Sequence, residues 1–112
     1  MKRVLVLISV LALFLTLPIF GANTMAGKWK ASSGYTVNIP DNSGSFILIF
    51  EDIKGEKITH PAQWTNFGKE FTWTDKQGAG HTATLDPGNP DRICDINSSC
   101  PESPAYWYRI KN

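Results

Sequence analysis

The chain has 112 residues, 11 basic against 10 acidic, for a formal net charge of +1. Without a basic excess, no stripe of lysine and arginine is available to displace counterions from a phosphate backbone, which excludes a nucleic-acid surface. Four tryptophans, three tyrosines and six phenylalanines supply large apolar side chains to a domain too small to bury all of them easily.

Lys2 and Arg3 open the chain, and an uncharged run from Val4 to Ala26 follows. A positive start, an apolar stretch and a small-residue exit form the pattern of a secretory signal peptide. Ala26, with Thr24 two residues before it, is the expected cut, making residues 1–26 the signal and 27–112 one small β-barrel domain. Ala22 is the alternative, with bulky Phe20 two residues upstream. An uncleaved anchor competes, but Val4 to Phe20 is about as short as a spanning helix can be, and Pro18 interrupts it. Losing Lys2 and Arg3 leaves 9 basic residues against 10 acidic, a net charge of −1. The expected location is secreted or periplasmic, with neither nucleic acid nor, after cleavage, membrane as a partner.

Beyond residue 27 no stretch carries a helical apolar period; alternation dominates. Strands are expected near 28–32, 35–39, 45–51, 56–59, 62–65, 69–74, 81–85, 92–96 and 105–110, with one pair continuous across a bulge. "YTVNI" sets Tyr35, Val37 and Ile39 on one face, and "KEFTWT" does the same with Phe71 and Trp73. Turn signals such as Asp41-Asn42-Ser43-Gly44, Lys54-Gly55 and Asp86-Pro87-Gly88-Asn89-Pro90 separate these runs. The fold class that follows is all-β: an antiparallel meander of about eight short strands, closed or nearly closed into a barrel. "SFILIFE" is apolar on both faces, which points to a strand covered on both sides, or to one face lining a ligand or partner surface.

Cys94 and Cys100 are the only cysteines. In an oxidising compartment an even count reads as a disulfide, here a staple just before the last strand. Asn97-Ser98-Ser99 matches the N-glycosylation sequon, a match read as chance in a chain of bacterial appearance.

Gly27-Lys28-Trp29 on the first strand and Arg109 in "YWYRI" on the last resemble the G-x-W and last-strand arginine of the lipocalins and their calycin relatives. The resemblance implies a lipocalin-like barrel in which Arg109 stacks on Trp29 and closes one end, a favourable cation–π geometry. The family's middle motif has no counterpart, and the strands are short for a generous ligand cavity.

Catalysis finds little support. His60 and His81 stand apart from any cluster of metal-ligating residues, no glycine-rich loop leads into a helix, and Glu51-Asp52 flanks a turn. No metal, cofactor or enzymatic activity is expected. The aromatics suggest binding instead: Trp64, Phe71, Trp73, Tyr106 and Tyr108 are the candidate ligand-binding residues, with Trp29 and Arg109 structural. The expected function is non-catalytic recognition of a small ligand or glycan by an aromatic face. The alternative is a protein–protein module, such as an inhibitor of a host or cell-wall hydrolase.

Overall fold

In the computed structural model, residues 23–111 are described; the expected signal peptide, residues 1–26, lies outside them up to residue 22. Eight strands follow in order: β1 (Gly27–Ala31), β2 (Thr36–Ile39), β3 (Ser45–Glu51), β4 (Lys57–Asn66), β5 (Glu70–Thr74), β6 (Gly80–Leu85), β7 (Arg92–Asn97) and β8 (Ala105–Arg109). Each pairs antiparallel with the next, and β8 returns to β1 through Trp29↔Arg109, Lys30↔Tyr108 and Ala31↔Trp107, closing the barrel. Closure leaves no sheet edge to template aggregation.

Alternation decides which side chains point inward. Trp29, Val37, Leu48, Phe71, Ala83, Ile93 and Trp107 are fully or almost fully buried, and with Phe46, Ala62, Trp64 and Trp73 they fill the interior. The barrel is therefore a packed core rather than a hollow cup. On β8, Trp107 belongs to the inner face and Tyr106 and Tyr108 to the outer one, as the parity of "YWYRI" requires. On β3, Phe46 and Leu48 are buried but Ile47 is 53% exposed. The expected double-sided burial of "SFILIFE" is thus corrected: a single closed sheet has one interior, and among the described residues nothing covers the outer side at Ile47.

The segments expected at 56–59 and 62–65 are one ten-residue strand, β4, running through Pro61. All of β4 up to Gln63 is registered with β3, from Glu51↔Lys57 to Ser45↔Gln63. Its pairing with β5, however, begins only at Ala62↔Trp73. Proline offers no N–H to a ladder, so the first part of β4 leaves β5, and the β3–β4 hairpin overhangs the barrel rim. At the other end of β4, Thr65 is the extra residue of a bulge between Trp64↔Phe71 and Asn66↔Glu70.

Cys94 and Cys100 are free thiols, which corrects the expected disulfide. Cys94 is held in the ladder opposite Thr84 and Tyr106. The strand then continues to Asn97 at about 3.3 Å per residue, before the chain turns toward Cys100. There the Cys100 N–H donates to the Asn97 carbonyl at 2.9 Å, closing a turn beyond the end of the strand. Cys100 instead lies exposed on the β7–β8 connection, its Sγ 3.8 Å from Glu102 Oε2.

The N-terminal residues close one end of the barrel. Met25 is fully buried, and its carbonyl accepts a 2.9 Å hydrogen bond from Trp29 Nε1. Arg109 sits over the Trp29 ring with its guanidinium carbon 4.3 Å from the centroid. The same guanidinium donates through Nη2 to the carbonyls of Thr24 (2.7 Å) and Pro90 (3.0 Å), and through Nε to Asp91 Oδ1 (3.0 Å). Trp64 Nε1 donates to the Asn42 carbonyl in the β2–β3 connection of that end. Trp29 and Arg109 thus meet where the sequence put them, at the joint between first and last strands.

Candidate functional site at the open end

The opposite end is built from the connections after β1, β3, β5 and β7. The β5–β6 connection, Asp75-Lys76-Gln77-Gly78-Ala79, is a tight hairpin turn. Asp75 Oδ1 accepts from the backbone N–H groups of Gln77 and Ala79, both at 2.9 Å, and Gly78 adopts a φ of 86° that favours glycine. The β3–β4 turn repeats the device with Asp52 and Gly55. Only in the β5–β6 turn does the second carboxylate oxygen face an imidazole: Asp75 Oδ2 lies 3.0 Å from His81 Nε2.

His81 is gripped from both sides. Its Nδ1 lies 2.8 Å from Asp95 Oδ2, and the other Asp95 oxygen accepts a 2.8 Å bond from Trp73 Nε1. The Trp73 and His81 rings stack at 3.8 Å and 22°. Both bonds of His81 form together when hydrogens sit on both ring nitrogens, or when Asp95 itself carries a proton and donates it to Nδ1. Burial pushes the Asp95 carboxyl above the usual carboxylate range, against the pull of the bonds from Trp73 and His81. Asp75 moves the other way, held down first by its bond with His81 and then by the backbone of Ala79. Every polar atom in this buried constellation is partnered.

His60 completes the floor, 7% exposed, its ring 4.9 Å from that of Trp73 and 5.2 Å from that of Phe50. Burial, and then the positive charge of Lys76, hold it below its ordinary value of 6.5, favouring the neutral ring. Above this floor is a hollow of about 270 Å³, lined by Tyr35, Phe50, Ile58, His60, Trp73, Asp75, Lys76, Gln77 and His81. It occupies the gap where β4 leaves β5. A larger depression of about 430 Å³ on the outside of β3–β5 carries Ser45, Ile47, Pro61, Gln63, Thr72 and Thr74 but no charged group.

Chemically, the site can bind and orient. His81 itself presents no free ring nitrogen to the hollow, because a carboxylate oxygen lies against each. Among the described residues, no group of three or more His, Cys, Asp or Glu is placed to hold a metal ion.

The five candidate ligand-binding residues do not share a face. Trp64, Phe71 and Trp73 point inward, at 9%, 0% and 6% exposure. Trp64 lies toward the closed end among Phe46, Phe67 and Phe71, and only Trp73 reaches the hollow. Tyr106 and Tyr108 are on the outer surface of β8, Tyr106 beneath the Arg92 guanidinium and Tyr108 47% exposed. The exposed aromatic platform is therefore corrected: a barrel wall separates the indoles from the tyrosines. Of the residues that do converge, the sequence sets His60 and His81 apart from any metal-ligating cluster and does not single out Asp75 or Asp95.

Compared with known proteins, the chain matches no family model, no curated protein and no solved structure.

Proposed function

We propose that this protein is an exported, non-catalytic binding barrel that takes a single ring-sized ligand in the hollow at its open end. The observation that carries this reading is the hollow itself. Apolar walls from Tyr35, Phe50 and Ile58 meet a polar floor of His60, His81 and Asp75 within about 270 Å³. Pockets for drug-sized molecules run from roughly 300 to 1,000 Å³, so this one suits a single sugar or aromatic ring. Trp107, Phe71 and Leu48 fill the barrel below, leaving no path for an acyl chain. The stacking of Arg109 on Trp29 supports regarding the barrel as lipocalin-like, with side chains in place of the deep cavity.

Titrating intrinsic tryptophan fluorescence with monosaccharides, small aromatic acids and amines, and a long-chain fatty acid tests the proposal. A ring compound is expected to shift emission through Trp73 while the fatty acid does not. Lys76→Ala, at the rim, is expected to weaken that binding with an unchanged melting midpoint. Flat titrations across the ring compounds would overturn it.

A second reading rests on Ile53, 87% exposed at the tip of the overhanging β3–β4 hairpin. An isoleucine there suits insertion into a partner's cleft, as in a hydrolase inhibitor. Loss of capture of a purified hydrolase on Ile53→Asp, with ring binding retained, would favour it.

A further inference from the structure

We propose that the exported chain is processed at the Ala22–Asn23 bond, so that Asn23–Ala26 remain in the mature protein as the plug of the closed end. The inference rests on the reading of residues 1–22 as a secretory signal. Four residues that a cut after Ala26 would discard are built into the barrel. The Met25 side chain is fully buried in the core, and its carbonyl is the acceptor for the Trp29 indole. The Thr24 carbonyl is an acceptor for Arg109, and the Thr24 hydroxyl donates 2.8 Å to the Gly68 carbonyl of the β4–β5 connection. Asn23 turns the chain: its Oδ1 accepts from the Met25 N–H at 3.0 Å, and its Nδ2 reaches the Pro40 carbonyl of the β2–β3 connection at 3.4 Å.

These contacts tie one short segment to β1, β8 and two connections that are distant in sequence. A signal segment that is discarded has no reason to carry a methionine shaped to the barrel floor. Removing it would leave the buried Trp29 N–H without its acceptor and open a void in the core where Met25 packs, both destabilising. Ala22 meets the need for a small residue before the cut, and Gly21 precedes it. Phe20 departs from the usual small residue two positions upstream, which places the signal's preference and the fold's requirement in opposition. The fold's requirement wins, because a chain cut after Ala26 would lack part of its own core.

The full-length chain, expressed in a Gram-negative host and recovered from the periplasm, decides the matter by intact mass and N-terminal sequencing. The expected N-terminus is Asn23. Ala22→Lys is expected to block maturation, whereas Ala26→Lys leaves the same N-terminus. A mature chain beginning at Gly27 would overturn the assignment while leaving export intact. A wild-type chain kept in the cytoplasm with its leader attached would overturn both. As an independent check, a chain beginning at Gly27 should melt well below one beginning at Asn23; equal midpoints would show that the plug is dispensable.

Discussion

At the closed end of the barrel, the indole N–H groups of Trp29 and Trp64 donate to neutral carbonyls, those of Met25 and Asn42. At the open end, Trp73 donates to an ionisable group, the buried carboxylate of Asp95. The cation of the closed end, Arg109, spreads over three acceptors and an aromatic face and remains at the surface. At the open end the imidazole of His81 is enclosed between two carboxylates beneath a hollow. The same kinds of side chain therefore do different work. Neutral carbonyls for the indoles and a solvent-facing Arg109–Asp91 ion pair close an end at little desolvation cost, whereas burying ionisable groups such as Asp95 and His81 is costly unless they are paired.

The largest effect is expected for Trp29→Ala. It removes the fully buried indole and the platform for Arg109, and should lower unfolding free energy by about 4–5 kcal/mol, much of what a small domain possesses. A smaller shift in the urea midpoint would break the idea that this end carries the fold. Next comes Asp95→Ala, which leaves the Trp73 N–H unpaired and His81 with one carboxylate. A loss of about 3 kcal/mol is expected, together with loss of the ligand-induced fluorescence change. Arg109→Lys keeps a charge but loses the planar stack and the fork of donors, and should cost about 1–2 kcal/mol by the same measurement.

The smallest effect sharpens the contrast by pH. His60 is held below 6.5 by burial, so as pH falls the unfolded chain binds a proton before the folded one does. The stability it supports is complete above about pH 6.5 and is lost as pH falls through the folded value. His60→Phe should flatten stability between pH 7 and pH 5, whereas the closed end, which has no histidine, should show no such dependence. Asp75, Asp86 and Asp91 are held low by hydrogen bonds, so their contribution is retained above about pH 4 and lost only below it. Asp95, raised by burial, works in the opposite sense: its contribution weakens as pH rises through its folded value.

Much of the closed end was legible in the sequence. Gly27-Lys28-Trp29 and Arg109 lie near the two ends of a meander, and closing a barrel brings first and last strands together. The open end was not, although a trace of it was present. Asp95 alternates with Ile93, and His81 with Ala83, so each polar residue occupies an inward position of its strand. Inward parity is visible to period-two reasoning, but which inward residues meet is not. The Asp75–His81–Asp95 contact joins a turn to two strands and depends on registers such as Trp73↔His81 and Ala83↔Asp95. The cysteines failed for a related reason: a separation of six residues does not say whether extended strand or turn lies between them.

By itself, then, the sequence determined the strands, their number and which side of each faces inward, because these follow from a side-chain period of two and from turn residues acting locally. The contact between Trp29 and Arg109 was an expectation from a resemblance rather than from strand periodicity, and the structure places the two side chains together. Tertiary structure alone decided the depth of the cavity, since that depends on how Trp29, Phe71 and Trp107 pack across the barrel. It decided as well that Pro61 parts β4 from β5 at the rim, and that Met25 belongs to the core. Each is a relation between residues far apart in the chain, fixed by close packing and by the pairing of buried polar groups.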